Sequence, residues 1–269
     1  MKIHTNGIDL NVDVSGSGAT ALLYLHYWGG SARTWRPVIA ALGDAPGDAL
    51  SGGWRHVAVD LRGWGDSARP EAGYDLADMA RDVAGAIDAL ALERYVIVGH
   101  SMGGKLAQYL AAQRPAGLLG LVLVAPSPPL PLPLDDAQRD ALTHAYDDAE
   151  AIGAALDHVL SASPLSAALR SQVIEDSLRG AAAAKRAWPF GAMAEDIGEP
   201  ARAIGVPVTV LSGELDRVDP PAALLTHLLP CIPHAVLETV PGRGHLLPLE
   251  APGAVAQAIR RFVSDLPPA

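Results

Sequence analysis

A serine stands between two glycines in the run Gly99-His100-Ser101-Met102-Gly103. A serine hydroxyl is a poor nucleophile at neutral pH. It needs a base within hydrogen-bond reach, and the base needs a carboxylate to orient it. The spacing G-x-S-x-G suits a sharp turn that lifts the serine above its surroundings, a nucleophile elbow. The pentapeptide alone also describes an ordinary glycine-rich turn, so its flanks must decide. Tyr95-Val96-Ile97-Val98 are aromatic or β-branched, as in a strand buried on both faces. Lys105 to Gln113 carry Leu106 and Leu110 four apart among alanines, and Pro115 follows, which predicts a helix that stops there. Strand, turn and helix would hold Ser101 exposed at the positive end of a helix.

Partners for such a serine should follow it in the order acid, then histidine. The predicted strand ending at Gly213 runs into Glu214, Asp216 and Asp219. Asp216 is the expected orienting acid, and Asp219, just before Pro220, suits a helix cap better. The segment Pro241-Gly242-Arg243-Gly244-His245 puts a histidine in a loop after the last strand, where glycines let the ring approach the elbow. Of the other histidines, His144 and His158 fall in a helical stretch, His227 and His234 in or near surface connections. His100 is expected only to pack beside the nucleophile. A tetrahedral intermediate needs two N–H donors. Met102, directly after the serine, supplies one. The loop His26-Tyr27-Trp28-Gly29-Gly30 is expected to supply the other, from Trp28. Lys105, one turn beyond Ser101, is expected to be a helix-surface charge.

The elements that must carry these loops are readable from apolar runs. Buried strands are predicted at 21–27, 56–61 and 95–98, and further parallel strands at 118–125, 206–212 and 235–240. Between them, Leu76, Met79, Val83, Ile87 and Leu90 follow helical spacing after an Asp75 N-cap. Val255, Ile259 and Phe262 line a closing helix from about 252 to 263. Strands alternating with helices imply an α/β fold with a parallel sheet. Every candidate loop then follows a strand, at the edge where open α/β sheets bind ligands.

The rhythm changes after Ala125. Pro126, Pro128, Pro129, Pro131 and Pro133 make a stiff exit, and no strand pattern follows before Gly205. One helical stretch is expected from near Asp135, carrying Leu142, Tyr146, Ile152, Leu156 and Val159. A second is expected to start at Ser163-Pro164, lined by Leu165, Leu169 and Val173. The expected organisation is a core domain of residues 1–125 and 206–269 with a helical cap (lid), residues 126–205, over the sheet edge. Trp188, Phe190 and Met193 could face a pocket under that cap or form its core. Residues 43–53, rich in Gly, Ala and Asp, read as a mobile surface loop.

At 269 residues, 49% of them hydrophobic, the chain can bury one large α/β core. A net charge of −10 without a basic cluster argues against nucleic acid or an anionic membrane as partner. Cys231 is the sole cysteine, which excludes an intrachain disulfide and a Cys-rich metal site and fits a reducing compartment. The first ten residues lack a signal-peptide apolar stretch, and no run reaches the ~18 apolar residues of a membrane span. The expectation is a cytoplasmic monomer or homodimer acting on a small molecule without metal or organic cofactor.

The chain resembles the α/β-hydrolase superfamily over nearly its whole length. The resemblance rests on His26 to Gly30, Asp60-Leu61-Arg62-Gly63 with Gly65 and Ser67, the elbow, Gly213 through Asp216 to Pro220, and Gly244-His245 followed by Glu250 and Pro252. It implies a mostly parallel central sheet flanked by helices, a Ser101–Asp216–His245 triad, and Met102 and Trp28 as oxyanion donors. The group includes small bacterial esterases, cofactor-free haloperoxidases (perhydrolases), lactonases and carbon–carbon bond hydrolases. Tyr27 departs from the glycine usual in the family, which makes it, with Trp188, a candidate wall of the substrate pocket. Trp64 stands where many relatives have histidine and would make that rim more apolar. Serine rather than aspartate at the elbow speaks against haloalkane dehalogenases and epoxide hydrolases. The leading expectation is cleavage of a small carboxylic ester through an acyl-enzyme on Ser101. A carbon–carbon hydrolase, lactonase or perhydrolase would keep the same residues, and a slow-turnover ligand receptor would differ only in its rate.

Overall fold

The structure, a computed structural model, describes residues 1–43 and 53–266. Positions 44–52 of the expected surface loop lie outside the described residues. Eight strands form one sheet: β1 (Lys2–Thr5), β2 (Ile8–Ser15), β3 (Ala21–Leu25), β4 (Arg55–Val59), β5 (Tyr95–His100), β6 (Leu118–Val124), β7 (Val208–Gly213) and β8 (Val236–Val240). Their spatial order is β1-β2-β4-β3-β5-β6-β7-β8. From β4 to β8 all neighbours run parallel, while β1 and β2 pair antiparallel with each other and β2 antiparallel with β4. That antiparallel start was not anticipated from the sequence. Its strands bury few residues, such as Ile3, Leu10 and Val12, among many polar ones.

The central strands are apolar throughout because both faces are covered. Leu23, Leu25, Ile97, Leu121 and Leu123 pack into one core, and Leu22, Tyr24, Val96, Val98, Val122 and Val124 into the other. This is the period-two alternation of a pleated strand. Helices α2 (Leu76–Ala89) and α3 (Met102–Ala112) cover the first face; α1 (Arg36–Gly43) and α11 (Pro252–Ser264) cover the second. Asp75 caps α2 as predicted, its carboxylate accepting the Asp78 N–H at 2.7 Å. Val255, Ile259 and Phe262 face inward on α11.

Between β6 and β7 the described chain holds helical pieces and no strand: α4 (Asp136–Thr143), α5 (Ala149–Ala155) continued by one π-helical turn (Leu156–Leu160), α6 (Ala167–Arg179), α7 (Ala182–Phe190) and α8 (Gly198–Ala201). Two boundaries differ from expectation. The stretch after Asp135 is not one helix. It breaks after Thr143 and restarts at Asp148, whose carboxylate accepts the Glu150 and Ala151 N–H groups, so Tyr146 lies in the break. The next helix does not begin at Ser163-Pro164, because the Ser163 N–H and hydroxyl are both committed to Glu250. Ser166 is the N-cap instead. After β7, α9 (Pro221–His227) and α10 (Leu247–Glu250) complete the chain. No described helix is long and apolar enough to cross a membrane.

Candidate active site at the sheet edge

Strands β3, β5, β7 and β8 run parallel, so the loops that leave their C-terminal ends share one edge. Residues Leu25 and Gly99 are register partners, which sets the 26–30 loop beside the elbow. Ser101 has φ 52° and ψ −113°, a left-handed strained conformation for a non-glycine residue. The turn is closed around it: the Ser101 N–H donates to Val124 O at 3.1 Å, and its carbonyl accepts from the N–H groups of Lys105 and Ser127. Both elbow glycines answer a close approach. A Cβ at Gly99 would lie 2.5 Å from Gly103 O, and one at Gly103 would collide with the Leu25 carbonyl. Ser101 is the N-cap residue of α3, so the free N–H groups of that helix start beside its hydroxyl.

Asp216 and His245 meet across a sequence separation of 29. His245 Nδ1 and Asp216 Oδ2 lie 2.9 Å apart, both buried. The other carboxylate oxygen of Asp216 accepts the Val218 and Asp219 N–H groups at 2.8 and 3.0 Å. An acceptor on Nδ1 places the ring's proton there and leaves Nε2 as the basic nitrogen. Burial works against a charged His245, but the Asp216 charge and hydrogen bond outweigh it and raise its pKa above 6.5. Burial works against the Asp216 carboxylate too, yet His245 and the two N–H groups hold its pKa below 3.8. His100 does more than pack. Its Nε2 donates to the His245 carbonyl at 2.8 Å, and the two rings lie 5.2 Å apart. The residue next to Ser101 therefore anchors the His245 backbone beside the elbow.

The 26–30 loop is held with equal care. His26 Nε2 accepts the Leu61 N–H at 3.0 Å, so Nδ1 carries the proton and donates to Tyr27 O at 2.7 Å. The Gly30 N–H donates to the same carbonyl. Because a trans peptide points its N–H opposite its C=O, fixing the Tyr27 carbonyl fixes the Trp28 N–H. The sequence marks His26 only as part of the loop, and its tautomer follows from these bonds. Trp28 O and Gly29 O accept from Tyr146 and Ser177 of the helical insertion. Nothing local in the sequence marks either residue.

Other expected residues fall differently. Lys105 is not a surface charge: it is fully buried, and its Nζ donates to Met193 O at 2.9 Å and Glu195 O at 2.6 Å. Burial pulls its pKa down to about 8. Asp219 does not cap α9, whose start carries no side-chain cap. It is buried near His245 and Asp216, and burial pushes its carboxyl up to about 7. Glu214 accepts the Gly242 N–H and is exposed. Trp64 is no rim residue but is buried, its ring edge-on to His26 at 6.5 Å and tight against Gly180. Phe190 is half exposed and lines an outer groove with Tyr74 and Arg186. Tyr27 and Trp188 are both buried, and the Tyr27 ring packs on His100 at 5.1 Å. Among the described residues no cluster of three His, Cys, Asp or Glu side chains is placed to hold a metal.

Comparison with known proteins agrees with this fold. The alpha/beta hydrolase fold family matches residues 20–168. The chain belongs to the alpha/beta hydrolase fold family. It is 29% identical to a 2-(acetamidomethylene)succinate hydrolase from Mesorhizobium japonicum, over 97% of this chain and 94% of that one. It is 30% identical to a 2-succinyl-6-hydroxy-2,4-cyclohexadiene-1-carboxylate synthase from an Enterobacter species, over 91% of this chain and 94% of that one. The esterase structure from Exiguobacterium antarcticum superposes with a TM-score of 0.86 at 22% identity, covering 98% and 99% of the two chains. Relatives of this kind support a hydrolase.

Proposed function

We propose that the protein is a serine hydrolase of small, uncharged carboxylic esters. The observation that carries the reading is the Asp216–His245 bond, with the His245 backbone anchored by His100, the residue beside a strained Ser101. In this reading His245 Nε2 takes the Ser101 proton as Oγ attacks the ester carbon. The Trp28 and Met102 N–H groups stabilise the oxyanion that forms. The protonated His245 then gives its proton to the departing alcohol, and Asp216 stabilises the imidazolium. Water, deprotonated by His245, hydrolyses the acyl-enzyme. Residues 126–205 act as the cap over this chemistry, and Tyr27 and Trp188 contribute to its aromatic surroundings. The indole N–H of Trp28, buried without a protein partner, is left as a donor for a polar group of the substrate.

Preference for an uncharged substrate is supported by the use of the buried cations. Among the described residues these are Arg62 and Lys105. Arg62 is paired with Asp82, and Lys105 is bound to two backbone carbonyls. A single buried cysteine, Cys231, is compatible with work in the cytoplasm. The test is steady-state hydrolysis of p-nitrophenyl acetate and butyrate beside their succinate half-ester. Repeated turnover that falls with the anionic ester supports the reading; no turnover of any ester, or one burst without cycling, contradicts it.

A further inference from the structure

Three consecutive carbonyls of the oxyanion loop are held, but from two directions. Tyr27 O is held from the core by His26 and Gly30. Trp28 O accepts from the Tyr146 hydroxyl at 2.8 Å and Gly29 O from the Ser177 hydroxyl at 2.9 Å, across separations of 118 and 148 residues. Both donors are buried, Tyr146 to 2% and Ser177 to 0% exposure. Buried carbonyls need such donors, since bulk water is absent. The Tyr146 ring also lies 4.3 Å from the Trp28 ring. It presses on Gly29, where φ is +99° and a Cβ would come within 2.6 Å of the ring. Tyr146 is itself fixed, because Lys185 Nζ donates to its carbonyl at 2.7 Å. Asp176, the neighbour of Ser177, accepts from Ser31 Oγ at 2.9 Å and pairs with Arg33. The helical insertion thus grips residues 28–33 at successive points.

We propose that Tyr146 and Ser177 are positioning residues for the Trp28 oxyanion donor, so that the oxyanion hole is complete only when the helical insertion is seated. The inference rests on the reading of Ser101 as nucleophile. Its logic is that the peptide groups on both sides of the Trp28 Cα must be fixed for its N–H to keep one direction. The core fixes the Tyr27–Trp28 peptide. The Trp28–Gly29 peptide adjoins a glycine that is free to adopt either hand of the backbone, and its carbonyl is fixed by Tyr146. Donors that stabilise a developing charge act through preorganisation, so a loosened loop should slow the chemical step while leaving ground-state binding alone.

The experiment compares wild type with Tyr146→Phe, Ser177→Ala and Ser101→Ala in two assays. One is covalent labelling by an alkyl fluorophosphonate. Ser101 Oγ bonds to phosphorus, the P–F bond breaks, fluoride leaves and the serine proton passes to His245, with the phosphoryl oxygen in the oxyanion hole. The other is the kcat and KM of p-nitrophenyl butyrate hydrolysis. Tyr146→Phe keeps the ring on Trp28 and removes one hydroxyl. The expected result is a fall of about tenfold in both labelling rate and kcat, part of the ~10²–10³-fold cost of losing a donor outright. KM should stay within about twofold, as for loss of an interaction made only in the transition state. Ser177→Ala should act in the same direction. Rates close to wild type in both variants, with only the thermal midpoint lowered, would overturn the proposal and leave the hydroxyls as structural. Should Tyr146→Phe fail to fold, Ser177→Ala decides alone. A wild type that is not labelled would overturn the Ser101 reading and this proposal with it, whereas labelled wild type with unaffected variants overturns this proposal only.

Discussion

The sheet edge and the helical insertion meet at the same site but are built by different means. At the sheet edge, backbone places the chemistry. Parallel register brings the ends of β3 and β5 together, and glycines without side chains let the turns approach. In the insertion, side chains and loop carbonyls do the placing. Leu160 O accepts the His245 and Leu246 N–H groups, and one Glu250 oxygen accepts from Ala162, Ser163 and Gly244. Lys105 holds the far end at Met193 and Glu195. Helix α4 buries no residue of its own, while Ile152, Leu156, Val173 and Trp188 pack the rest of the insertion into the core. The insertion is thus fastened to the two loops that the proposed mechanism uses, the 26–30 loop and the loop carrying His245, and not merely laid over them.

Substitutions can sharpen that contrast. The largest effect belongs to the sheet edge: Ser101→Ala should lower kcat by about 10⁶-fold with the fold intact, checked by ester hydrolysis and circular dichroism. Asp216→Asn should follow at roughly 10⁴-fold. Asp219→Asn should cost far less in the same assay, because Asp219 makes no bond to the His245 ring while Asp216 does. Reversal of that order would move the orienting role to Asp219.

The pH dependence gives a further contrast. In the proposed mechanism His245 must be neutral to act as base, and against the opposing effect of burial its pKa is raised above 6.5 by Asp216. Activity should therefore fall as pH drops through a midpoint above 6.5, and Asp216→Asn should move that midpoint down in a kcat/KM profile. Asp219 keeps in the folded state a proton that the unfolded chain releases near 3.8, up to about 7. That term weakens the fold as pH rises across the window. Asp219→Asn should accordingly gain thermal stability over wild type at about pH 8 compared with about pH 5.

The smallest effect on chemistry belongs to the insertion's far tie. Lys105→Met removes the donor from two carbonyls, each costing about 1–3 kcal/mol if left unpaired. The thermal midpoint should drop by several degrees while kcat changes little. A kcat loss comparable to that of Asp216→Asn would mean that Lys105 reaches the reacting atoms.

Legibility in the sequence divides along the same line. The position of Ser101, Asp216 and His245 at one sheet edge is legible because each follows a strand and sits in a local pattern of glycines or apolar runs. The central parallel strands are legible because burial on both faces leaves continuous apolar stretches, whereas β8, at the sheet edge, has no fully buried residue. Asp75 was readable as a cap because capping is local. The burial of Lys105 was not, because it depends on carbonyls about ninety residues away. Tyr146 reads as one more apolar position of a long helix, and only the fold shows it in a break with its hydroxyl on the 26–30 loop. Ser163 looked like an N-cap because Ser-Pro often is one, but Glu250 had already claimed it. The short N-terminal strands were hidden by their many polar positions.

The most direct measurement of the central claim is rapid-quench mass spectrometry of the protein mixed with p-nitrophenyl acetate. The account predicts one acetyl group per chain, mapped to the peptide containing Ser101, formed and lost at rates consistent with turnover. It predicts no such adduct in Ser101→Ala. Turnover without an adduct at Ser101, or an acetyl group that turns over on another residue, would contradict it.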